Sequence, residues 1–80
     1  MWHVYILKCS DQTYHTGCTS NLDQRMAAHR NGKVKYTQTR LPFELETYIT
    51  FTKKQSAFEF EKYLKSGSGK AFMFKRFVSR

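Results

Sequence analysis

Acid is scarce in this chain. Six Asp and Glu stand against fourteen Lys and Arg in 80 residues, a formal net charge of +8. The scarcity is uneven. No acid lies between Asp23 and Glu44, where Arg25, Arg30, Lys33, Lys35 and Arg40 fall. None follows Glu61, where Lys62, Lys65, Lys70, Lys75, Arg76 and Arg80 fall. Two basic blocks with aromatics between them favour a phosphate-backbone surface over a merely solvated face. Long apolar runs are also missing. No stretch approaches a membrane span, and no signal-peptide core precedes a small-residue cleavage site, so the cytoplasm is the expected location. A membrane surface is disfavoured, because the basic residues do not share one helix with a strong apolar face.

Cysteine is sparse as well. Cys9 and Cys18 are too few for a disulfide framework. On paired strands Cys9 would stand opposite about Tyr14, not Cys18, so both read as reduced, half-buried fillers. His3, His15 and His29 lack zinc-ligand spacing. The length predicts one domain over residues 1–80, with a thin core that buries only about 60% of the unfolded surface. Seven Phe, five Tyr and one Trp compensate, since each aromatic buries a large area.

Trp2 to Cys9 is rich in aromatic and β-branched residues and predicts a strand. Ser10-Asp11-Gln12 is turn material, and Thr13 to Thr19 completes a hairpin. Gly17 inside that second strand predicts a close backbone approach or a bulge. Ser20-Asn21 offers a helix cap, with Gln24 three residues after Asn21. The helix runs to about Arg30, before Asn31-Gly32. Gly32 to Pro42 reads as a basic loop of functional length. Phe43 to Phe51 alternates as a strand with one buried face. Gln55 to Lys65 predicts a second helix, stopped by Ser66-Gly67-Ser68-Gly69. Lys70 to Arg80 is an optional last helix. The fold class is α+β: a three-stranded antiparallel sheet flanked by helices, in the order β-β-α-β-α with a C-terminal α as an extension.

Polar residues stand where these elements call for apolar ones. Leu22, Arg25, Met26 and His29 share one helix face, so Arg25 and His29 lie on the buried stripe. Ala57, Phe60, Glu61 and Leu64 do the same on the second helix. A carboxylate on an apolar stripe must be paired, protonated or metal-bound, because an unpaired buried charge is costly. The structural alternatives are an ion pair with Arg25 or a helix end turned to water. Arg25 carries a planar fork of donors suited to phosphate. Tyr5, alone, reads as core, and His29, alone, as a satisfied histidine. Their combination in one small core is harder to explain without a use.

Tyr5, then His15-Thr16-Gly17 ten residues on, then Arg25 ten further, then Glu61 on the second helix resembles the GIY-YIG nuclease family. The resemblance covers nearly the whole chain. It is closest to small stand-alone bacterial members, described as similar to the nuclease subunit of nucleotide excision repair. It implies a three-stranded antiparallel sheet with flanking helices and a metal-dependent endonuclease acting on DNA, in repair or processing. It implies catalytic roles for Tyr5, His15, Arg25, His29 and Glu61, with Glu61 holding one Mg²⁺ or Mn²⁺. Gly17, Lys33, Lys35, Arg40 and Lys70 become candidates for nucleic-acid contact, with branched or single-stranded DNA as partner. The family's second-motif tyrosine is His15 here. Strand alternation turns Tyr14 to the other sheet face, so His15 is placed in the site. An asparagine that some members carry after the glutamate has no counterpart. Two other readings stay open: a nucleic-acid-binding module with weak or no catalysis, and a protein-interaction domain with a structural Arg25–Glu61 pair.

Overall fold

The computed structural model describes residues 1–78. Its elements are β1 (Trp2–Cys9), β2 (Tyr14–Thr19), α1 (Leu22–Arg30), α2 (Lys35–Gln38), β3 (Phe43–Phe51), α3 (Lys54–Leu64) and α4 (Gly67–Arg76). The strands form one antiparallel sheet in the order β2-β1-β3.

β1 is central, and Val4, Tyr5, Ile6 and Leu7 are all 0% exposed. Four buried residues in a row mean that both sheet faces are covered. Val4 and Ile6 pack with Ala57, Leu64 and Met73 of α3 and α4. Tyr5 and Leu7 pack with Met26 of α1. Alternation along one strand thus separates an apolar layer from the layer that holds the site.

β3 does not keep one buried face. Ile6 pairs with Thr47 but Leu7 pairs with Leu45, a bulge that leaves Glu46 as the extra residue. The bulge reverses the strand's phase. Phe51 packs on the Val4–Ile6 layer, whereas Phe43 packs on the Tyr5–Leu7 layer. Leu45, expected in the core, is exposed.

Asn21 caps α1 as expected, its side chain accepting from the Gln24 backbone N–H at 3.0 Å. The basic loop is not wholly loop, since α2 forms inside it. The Ser-Gly-Ser-Gly run ends α3 but also starts α4. Ser66 accepts from the Gly69 N–H at 3.1 Å, and Gly67 and Gly69 are already helical. Any Cβ at Gly69 would overlap the Tyr63 carbonyl, so the glycine lets α4 turn tightly against α3. The basic tail expected to reach Arg80 ends outside the described residues.

Both cysteines are free, Cys9 buried and Cys18 half-buried. Cys9 bonds to Thr13 and Cys18 stands opposite Val4, a register one residue from that expected. No helix among the described residues is long and apolar enough to cross a membrane.

Candidate active site

Tyr5 on β1 faces Gly17 on β2 directly across the ladder. Opposed residues point to the same sheet face. Gly17 is buried beneath the Tyr5 ring, and any side chain there would meet the phenol. Its contribution is the space it leaves. That space lets the hydroxyl reach α1, where Arg25 and His29 stand one turn apart.

A line of hydrogen bonds follows. The Arg25 Nε–H donates to the Tyr5 hydroxyl at 3.2 Å. The same hydroxyl lies 2.9 Å from His29 Nε2. His29 Nδ1 lies 2.7 Å from the Thr37 hydroxyl, which in turn points to the Val34 carbonyl at 3.4 Å. Tyr5, His29 and Thr37 are all 0% exposed. Among the described residues, the terminal amino groups of Arg25 make no hydrogen bond or ion pair, so part of its fork stays available.

His15 joins from β2. Its ring lies 5.3 Å from that of His29 and 6.2 Å from that of Tyr5. It stacks on Tyr36 at 4.8 Å with planes 23° apart. Tyr14 turns the other way and packs on Phe74.

Glu61 belongs to α3, on the opposite face of the sheet. Its charge nonetheless reaches the site past edge strand β2, raising the pKa of both Tyr5 and Cys18. Its ion-pair partner is not Arg25. It bonds Lys65, one turn on, at 3.0 Å. Helix geometry explains the substitution, because i and i+4 side chains meet without crossing the sheet. The Glu61 side chain is 21% exposed and that of Lys65 57%. Among the described residues, no group of three or more His, Cys, Asp or Glu is arranged to hold a metal ion. A lone, half-buried carboxylate already balancing a cation suits a hard ion that retains most of its waters, such as Mg²⁺ or Mn²⁺.

Burial dominates the proton affinities. It pushes Tyr5 up, against the opposing hydrogen bond and charge of Arg25. It pushes His15 down to about 4, aided by Lys65 and Arg25. His29 falls to about 4 from burial, then from His15 and Arg25. At neutral pH the site therefore holds a protonated phenol and two neutral imidazoles.

Both histidines bind a proton near pH 6.5 once the chain unfolds. Their contribution to stability is complete above that pH and is lost as pH falls through about 4. For fully buried His29 the loss is on the order of 3 kcal/mol, at about 1.4 kcal/mol per pKa unit. Urea unfolding at pH 7 and pH 4 measures it. Equal midpoints would mean that the imidazole is already charged in the fold.

Of the nucleic-acid candidates, Lys33, Lys35 and Lys70 are exposed. Arg40 differs. It pairs with Asp11 at 3.0 Å, donates to the Tyr36 carbonyl and lies 4.2 Å over the Tyr36 ring. The Arg40 carbonyl also accepts from Ser10. Its visible work is to anchor the α2 loop to the hairpin tip.

Thr37, Tyr36 and Lys65 are site residues that sequence reading misses. The one available signal is that a buried histidine needs a partner for each ring nitrogen. Nothing in the chain order says which hydroxyl supplies the second.

Residues 1–75 match the family model described as the GIY-YIG catalytic domain. A UPF0213 protein of Clostridium perfringens is 46% identical over 66 residues, covering 81% of this chain and 71% of that protein. One from Lactococcus lactis subsp. cremoris is 44% identical over 63 residues, covering 78% and 64%. The chain thus spans somewhat under two thirds of the length of that relative. The solution NMR structure of a UPF0213 protein from Bacillus halodurans superposes with a TM-score of 0.59 at 37% identity, covering 94% of this chain and 84% of the other. With fold, family model and relatives in agreement, the chain belongs to the GIY-YIG catalytic domain family, a nuclease family, alongside the UPF0213 proteins.

Proposed function

We propose that this domain is a divalent-metal-dependent endonuclease that hydrolyses DNA phosphodiester bonds in repair or processing. The observation that carries the reading is the buried Arg25–Tyr5–His29 line, with a neutral imidazole set to receive the phenol proton. A raised Tyr5 does not ionise unaided at neutral pH. It can still relay. As the attacking water forms its bond to phosphorus, its proton passes to the Tyr5 oxygen, and the Tyr5 proton passes to His29 Nε2. The P–O ester bond breaks, and the leaving alkoxide takes a proton from solvent. His29 then returns its proton to the Tyr5 oxygen as Tyr5 gives up the one it took from the water, so the relay resets along the same 2.9 Å contact. The unpaired part of the Arg25 fork binds the phosphate as charge develops there. Glu61 would be the residue to hold a divalent metal, which when bound would supply charge neutralisation for the phosphoryl transfer.

A groove of about 1050 Å³ opens beside His15. Lys8, Lys65 and Lys70 line it, Tyr14 and Phe74 lie along its wall, and no acidic residue is among its lining. Lysines track a backbone, and aromatics stack on bases that a duplex would keep hidden. This combination supports single-stranded DNA, or a frayed junction of branched DNA, as the preferred form.

Supercoiled plasmid, single-stranded and duplex DNA, each with Mg²⁺, Mn²⁺ or EDTA, test the reading. Metal-dependent cleavage, faster on the single strand, is expected. The doubly substituted Tyr5→Phe/Glu61→Ala protein controls for contaminants, and equal cleavage by it would remove the proposal. The second reading, a binding module without catalysis, draws on His15 standing where the family carries tyrosine. It predicts salt-sensitive binding with no cleavage under any metal.

A further inference from the structure

We propose that Thr37 is a positioning residue whose hydroxyl receives the Nδ1 proton of His29 and so supports the tautomer in which Nε2 is the bare proton acceptor facing Tyr5. Each polar group along the line is matched to a donor or an acceptor. The Tyr5 hydroxyl is buried and has two partners, Arg25 Nε and His29 Nε2. Arginine can only donate. The Tyr5 oxygen therefore accepts from Arg25, and the Tyr5 proton must go to His29. Nε2 then carries the lone pair, and the single proton of the neutral imidazole is on Nδ1.

Nδ1 lies 2.7 Å from the Thr37 hydroxyl, so Thr37 accepts there. Its own proton is left for the Val34 carbonyl at 3.4 Å. Every donor finds an acceptor, and all bonds run one way, from Arg25 through Tyr5, His29 and Thr37 to the backbone. The opposite tautomer would aim two donors at the Tyr5 oxygen and leave the phenol proton without an acceptor. Leaving a buried O–H unpaired shifts such an equilibrium by about tenfold or more.

Thr37 is well held for this task. It is fully buried in a loop segment that otherwise faces solvent, and its carbonyl accepts from the Arg40 N–H at 2.9 Å. Arg40 is fastened in turn to Asp11 and Ser10 at the hairpin tip. The basic loop thus has a second role besides contact with substrate: it orders the proton path from behind. The importance of that path for cleavage rests on the hydrolytic reading above, whereas the tautomer does not.

Long-range ¹H–¹⁵N spectra of the whole chain, labelled at histidine, decide the matter. Wild-type His29 should show a protonated Nδ1 and a pyridine-like Nε2. Thr37→Val, which keeps the shape and removes the hydroxyl, should reduce the Nδ1–H preference about tenfold. Thr37→Ser should restore it. In cleavage assays the valine protein should lose about tenfold in kcat at unchanged KM, with recovery in the serine protein. A wild-type spectrum with the proton on Nε2 overturns the proposal, and so does a valine spectrum identical to wild type. The wild-type spectrum is decisive even if Thr37→Val fails to fold. A protonated Nδ1 in a protein that cleaves nothing would sink the nuclease reading and leave the tautomer assignment standing.

Discussion

Tyr5→Phe should lower single-turnover cleavage by about 10²- to 10⁴-fold, the range that a positioned proton-transfer group contributes. The substitution is sparing in shape. The ring is 0% exposed and packs with Leu7 and Met26, and phenylalanine fills the same volume. Only the hydroxyl goes, yet it is the junction of the whole line, 3.2 Å from Arg25 and 2.9 Å from His29. Half-buried Arg25 can turn to water. His29 cannot, so its Nε2 is left unpaired at a cost of about 1–3 kcal/mol. A moderate fall in melting temperature should accompany the kinetic loss. Salt-dependent DNA affinity should barely change, because no cation is removed. A protein that cleaves at the wild-type rate would take Tyr5 out of the chemistry. One that loses affinity and rate together would make Tyr5 a structural support for the DNA surface.

What could be read from the chain, and what could not, divides along a physical line. Periodicity reports which side of its own element a residue occupies. It put Arg25 beside His29 and Glu61 beside Leu64, because those relations are fixed by 3.6 residues per turn. It put His15 and Tyr14 on opposite faces, because a strand alternates. It does not report which distant segment closes over a face. Thr37 and Tyr36 lie in a stretch with no period, and their partners His29 and His15 are set by the course of the loop. The bulge at Glu46 was invisible for the same reason, since pairing partners rather than local pattern create it. The Arg25–Glu61 pair, one of the structural alternatives, does not form because the two helices cover opposite faces, while Lys65 is one turn away.

These differences change the electrostatic picture of the site. An Arg25–Glu61 pair would have consumed both the phosphate fork and the carboxylate. With Lys65 as partner, Glu61 is balanced by an exposed ammonium on a flexible stem, and Arg25 spends only its Nε–H on Tyr5. The lysine of this pair is mostly solvated, so exchanging it for a cation at Glu61, or for a phosphate at Lys65, costs little. The interior of the site is neutral instead. Two imidazoles held down at about 4 and a phenol pushed up leave the charge at its rim.

Gly17→Ala should be as damaging to cleavage as Tyr5→Phe, and more damaging to stability. The backbone itself would accept alanine, because among the described glycines only Gly32 has positive φ. The obstacle is the partner across the ladder. Gly17 is directly opposite Tyr5, and a Cβ there would collide with the phenol hydroxyl and its ring carbons. Retreat of the strand is resisted on both sides by the Val4–Cys18 and Ile6–Thr16 pairs. The ring must therefore move, and it is fully enclosed. Overpacking of this kind costs about 1–3 kcal/mol, and stranding His29 Nε2 adds a similar amount. At roughly 4–8 °C per kcal/mol for a domain of this size, melting should fall by about 10 °C or more. The double variant Gly17→Ala/Tyr5→Phe separates the two contributions. Removing the hydroxyl relieves its share of the collision, so the pair should be more stable than the sum of the single losses. Its cleavage should be no worse than that of Tyr5→Phe alone, because the same relay is already broken. A Gly17→Ala protein with wild-type melting and wild-type rate would show that the ring has slack, and that something other than the bare glycine holds the phenol against His29.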